Sequence, residues 1–140
     1  MNLFDLLVIV HFISDWIFQT QEQASNKSKD LNVLLEHSSV YTIFFIPVLF
    51  FCQPLSLIWA LPLLFLSHAF LDNRKFEFWI LRVFKGIYVT PDFIPFYKDK
   101  YGDPQIFDKS LFWILLITID QVLHIIVLAF VAALLIKIRM

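Results

Sequence analysis

The chain has 140 residues, 59% hydrophobic and only 16% charged, with a formal net charge of −1. A soluble domain is nearer half apolar and a quarter charged, so this composition indicates an integral membrane protein of the all-α class. The near-neutral charge gives no basis for nucleic-acid binding, and a single cysteine, Cys52, excludes an internal disulfide.

A first helix is expected over about 2–19, just enough to cross a thin hydrocarbon core. It carries Asp5, His11 and Asp15 and lacks a basic leading region and a small-x-small cleavage site, so it does not read as a signal peptide. A polar stretch containing Asn26-Lys27-Ser28-Lys29 follows. Asp30 then caps a second helix over about 31–52, with His37 two turns inside and a kink expected at Pro47. Gln53-Pro54 marks a turn, and a third helix runs over about 55–72 with a second kink at Pro62.

The next segment, 75–87, places Phe76, Trp79, Ile80, Val83, Phe84 and Ile87 on one helical stripe, with Lys75, Arg82 and Lys85 off it. That pattern predicts an amphipathic helix lying in the membrane interface. Segment 88–109, rich in proline, aromatics and charge, reads as a long irregular loop. A fourth helix over about 110–136 is long enough to span with tilt. The expected architecture is one transmembrane domain of four spanning helices plus one interfacial helix.

Nine of the eleven basic residues fall in 19–37 and 73–109, and the other two are Lys137 and Arg139. The positive-inside rule makes both loops cytoplasmic and both termini external.

Within the apolar segments one spacing recurs: His11-x-x-x-Asp15, His68-x-x-x-Asp72 and, reversed, Asp120-x-x-x-His124. A separation of four sets two side chains on one helix face. The order reverses where the helix direction reverses, so each aspartate lies nearer the cytoplasm and each histidine one turn deeper. An aspartate at a helix centre costs roughly 2.5–3.5 kcal/mol on insertion, so such residues face the bundle interior and are functional candidates. Imidazole and carboxylate together suit Zn, Mn or Fe, and bundle cores can hold two such ions. His11, His37, His68 and His124 are therefore the candidate ligands for one or two divalent transition-metal ions. Asp15, Asp72 and Asp120 are candidate ligands, orienting groups or general bases. Gln19, Gln121, Lys27, Lys29 and Arg74 are candidate supporting or substrate-contacting residues. The plainer alternative is a polar network that only holds the helices together, at about 0.6 kcal/mol per interhelical bond.

The ordered string His11-x-x-x-Asp15-x-x-x-Gln19, Asn26-Lys27-Ser28-Lys29, Leu34-x-x-His37, His68-x-x-x-Asp72 and Asp120-Gln121-x-x-His124 resembles the DUF3307 family of small bacterial membrane proteins. That resemblance implies a membrane location and a helical fold and no activity. A looser similarity is to predicted membrane-bound metal-dependent hydrolases of the YdjM type, whose His-Arg-Gly and Thr-His-Ser signatures this chain lacks.

Three functions follow as expectations. The first is a membrane-embedded metal-dependent hydrolase acting on a lipid or lipid-linked phosphate at the cytoplasmic leaflet. The second is a divalent-cation or proton transporter, since intramembrane His and Asp mark ion paths. The third is a non-catalytic subunit docking a partner through 73–109. The lipid bilayer is the expected surrounding, and a homo-oligomer is an expected state.

Overall fold

A computed structural model describes residues 2–139, with side chains through residue 137. The side chain of Arg139, counted among the external charges, lies outside the described residues. The chain is mostly helical and divides into two compact units, 1–73 with 123–140, and 74–122.

The first unit begins with α1 (Leu3–Phe12), which runs on into a π-helical turn, Ile13–Ile17. Asn2 and Asp5 cap α1 reciprocally, at 2.8 and 3.0 Å, so Asp5 is a capping residue. At about 1.5 Å per residue this stretch reaches roughly 22 Å, short of a ~30 Å hydrocarbon core. The segment expected to be uniformly polar linker contains a short helix, α2 (Gln21–Asn26), opened by a Thr20/Gln23 capping box. α3 (Leu31–Ile43) starts at Asp30, whose carboxylate accepts from Asn32 N at 2.8 Å. It breaks at Phe44 and Phe45, and α4 (Ile46–Cys52) continues with Pro47 in its first turn. The kink falls just before the proline because its ring cannot follow an ordinary helical turn. After a 3-10 turn, Pro54–Ser56, α5 (Leu57–Asp72) runs with Pro62 inside it.

The second unit holds α6 (Lys75–Lys85) and a three-stranded antiparallel sheet of β1 (Tyr88–Val89), β2 (Pro95–Lys98) and β3 (Pro104–Ile106), in that order. The register pairs Tyr88 with Phe96, and Phe96 with Ile106. The expectation of an irregular loop over 88–109 is corrected here. Two of its prolines, Pro95 and Pro104, stand at the first position of a strand, where proline is tolerated. α6 ends at Gly86 in the left-handed region (φ 64°), with Gly86 N bonded to Arg82 O and Ile87 N to Leu81 O. Buried Ile87 and Leu81 supply the apolar contact of that cap and join Phe112 and Leu116 as the core of the unit.

The last helix, α7 (Lys109–Arg139), contributes its first part to the second unit and its remainder to the first. The core of the first unit is Leu7, Tyr41, Phe45, Leu49, Ala60, Leu64, Leu128, Val131, Ala132 and Leu135.

Among the described residues, three helical stretches are long and apolar enough to cross a membrane: Leu31–Cys52, Pro54–Asp72 and Lys109–Lys137. This is compatible with a membrane protein. The first helix is not among them, so length and composition support three of the four expected spans.

Candidate metal centre

The π turn sets the first ligand. Phe18 N bonds back five residues to Ile13 O, and Ser14 Oγ donates to Val10 O at 2.8 Å and to His11 O at 3.1 Å. A widened turn of this kind inserts a residue and re-aims the side chains that follow; such turns recur at functional sites. Asp15 meets His37 and Lys27, whereas the Nδ1 atom of His11 lies 3.2 Å from the Tyr41 hydroxyl.

Asp15, His37, His68 and Asp72 are all buried and form one group, each offering a ligand atom within 4.8 Å of the other three. His37 Nε2 lies 3.1 Å from Asp15 Oδ1, 3.1 Å from Asp72 Oδ2 and 3.1 Å from His68 Nε2. His68 Nε2 lies 3.1 Å from Asp72 Oδ2 and 3.9 Å from Asp15 Oδ1. A tetrahedral ion with bonds of about 2.0–2.1 Å has ligand–ligand edges of about 3.3–3.4 Å, by simple geometry on the usual zinc distances. These edges bracket that value.

Two basic or polar side chains complete the group. Lys27, buried at 6% exposure, reaches Asp72 Oδ2 at 2.8 Å, His37 Nε2 at 3.4 Å and Asp15 Oδ1 at 3.6 Å. Gln19 Nε2 lies 3.1 Å from His37 Nε2. Lys27 is delivered by α2, whose buried Gln23 donates to Glu36 on α3 at 3.3 Å. One imidazole nitrogen carries either one proton or one lone pair. Five polar atoms lie within 3.4 Å of His37 Nε2, more than either form can satisfy. A cation among the four ligand atoms resolves that crowding. A metal-bound histidine usually donates its other nitrogen to an oxygen, but Nδ1 of His37 and of His68 are both buried without a hydrogen-bond partner. The His68 ring is held instead by stacking on Tyr41, at 3.6 Å and nearly parallel.

The other imidazoles extend the group. His37 and His68 rings are 5.0 Å apart, His68 and His124 are 4.7 Å apart, and His124 stacks on His11 at 5.1 Å. All four histidines of the chain therefore form one string inside the first unit, but only His37 and His68 belong to the group of four. Among the remaining candidates, Lys29 is exposed. Gln121 Nε2 donates to Asp120 Oδ2 at 3.0 Å, in the second unit. The Arg74 guanidinium sits over the Trp113 ring at 5.4 Å, also in the second unit. Sequence reasoning missed Tyr41, although His37-x-x-x-Tyr41 repeats the spacing of four that marked the other pairs.

One family, described as "Protein of unknown function (DUF3307)", matches residues 3–140. No curated protein and no solved structure matches the chain.

Proposed function

The chain belongs to the DUF3307 family, and we propose that it is a membrane-embedded metal-binding protein whose centre is Asp15, His37, His68 and Asp72. The observation that carries this reading is the packing of four ligand atoms from three helical segments in a buried site, all within 4.8 Å of one another and five of the six separations at 3.1–3.9 Å. A mixed imidazole and carboxylate set suits Zn, Mn or Fe. The proposal includes a short fourth span, Leu3–Phe12 with its π turn, and cytoplasmic placement of the basic segments around Lys27 and Lys75.

Four protein ligands make a closed set, as in sites where the ion is structural. Hydrolysis of a lipid-linked phosphate at this centre requires one ligand to yield its place. Asp15, on the π turn, is the residue for that role. A bound ion would supply an activated water there, and Lys27 would neutralise phosphate charge beside it.

A second reading rests on Lys27. Its ammonium already stands 2.8 Å from Asp72 and can serve as the resident cation. The string of four imidazoles then forms a proton path, which fits a transport role.

Chelation separates the two. With an ion at the centre, stripping it lowers the unfolding temperature of the detergent-purified protein, and adding Zn or Mn back restores it. An unfolding temperature indifferent to both treatments contradicts the metal reading.

A further inference from the structure

We infer that the second unit carries a binding site for the headgroup of an anionic phospholipid, in the cavity between α6 and strands β1 and β2. The cavity measures about 340 Å³ and is lined by Lys75, Phe78, Trp79, Arg82, Tyr88 and Phe96, among others. That volume lies at the small end of ligand sites and suits a headgroup without its acyl chains.

Its charge is one-sided. Lys75 and Arg82 line it, and the Arg82 guanidinium and Lys98 ammonium lie 5.3 and 6.0 Å from the centre of the Tyr88 ring. None of these three cations has a carboxylate partner among the described residues. The acid of α6, Glu77, is buried and does not line the cavity. A guanidinium and an ammonium converging on one aromatic-walled space match a phosphodiester, which accepts from both.

The acyl chains have a surface as well. α6 leaves Trp79 54%, Val83 56% and Phe84 74% exposed, on one stripe beside the cavity. Apolar side chains flanked by Lys75, Arg82 and Lys85 are the pattern of a helix lying in a charged membrane surface. Lys75 follows three residues after Asp72, where a candidate spanning stretch ends. The inference rests on the membrane reading and is independent of the metal centre.

The test is native mass spectrometry of the full-length protein in detergent, offered equal amounts of phosphatidylglycerol and phosphatidylcholine. The wild type should retain phosphatidylglycerol at least five-fold over phosphatidylcholine, by analogy with the tenfold per 1.4 kcal/mol of a modest charge contact. The K75Q/R82Q variant should show a ratio near one, and the charge-matched K100Q/K109Q variant should keep the wild-type ratio. No preference in the wild type, equal loss in both variants, or displacement of phosphatidylglycerol by millimolar inorganic phosphate would each overturn the proposal. Whether the chain needs detergent for extraction reports separately on the membrane reading.

Discussion

The two units both bury an apolar core and differ in where they keep their charge. The first encloses two aspartates, two histidines and a lysine at ion-pair distances, while Ile43, Phe51, Leu55, Ile58, Leu66 and Phe130 stand exposed on its outside. The second encloses Leu81, Ile87, Phe112 and Leu116 and leaves Lys75, Arg82, Lys85, Lys98 and Lys100 exposed. An apolar exterior around a polar interior is what a hydrocarbon solvent selects, since lipid tails give helices no reason to hide leucine. An apolar core beneath exposed charge is what water selects. The contrast teaches that buried charge here is confined almost wholly to the first unit.

The largest way to break this contrast is D72A. It removes the partner of Lys27 at 2.8 Å and of both histidines at 3.1 Å, leaving the buried ammonium with Asp15 alone, at 3.6 Å. The expected loss is about 3–5 kcal/mol with loss of any bound metal, read by thermal unfolding and elemental analysis. L81A comes next. Leu81 is fully buried in the second unit, and its truncation should cost about 2–4 kcal/mol while leaving metal content unchanged. Metal loss in L81A would show that the two units do not act separately.

Two smaller changes sharpen the comparison. Gly102 sits at φ 90°, between Asp99 and Asp103 in the turn joining β2 and β3. G102A should cost about 1–2 kcal/mol, measurable as a lowered unfolding temperature, again with metal retained. Y41F removes the hydroxyl 3.2 Å from His11 and keeps the ring stacked on His68. Its expected cost is about 1 kcal/mol with full metal content, because Tyr41 supports the centre without contributing a ligand. Loss of metal in Y41F would place the ion nearer His11 than the group of four.

The spanning stretches were legible in sequence because length and unbroken apolarity decide them. Pro47 marked its break for the steric reason that moves it to the start of α4. The spacing of four correctly marked Asp15, His68 and Asp72 as members of a buried cluster. His11 is buried in the same string of imidazoles, stacked on His124, and lies outside the group of four. Lys27 was among the candidates, but its burial was not legible: Ser28, Lys29 and Asp30 continue a polar run, and only the fold around α2, whose C-cap is Lys27, carries it inward. The sheet was missed because its strands are two to four residues long, too short for periodicity to register.

The central claim is that four residues form one ion site, and elemental mass spectrometry of purified protein tests it most directly. The account predicts about one equivalent of a transition metal in the wild type and in H11A, and none in H37A/H68A. Equal metal in all three proteins, or none in the wild type after purification without chelator, would contradict it and leave Lys27 as the cation of a structural or proton-carrying network.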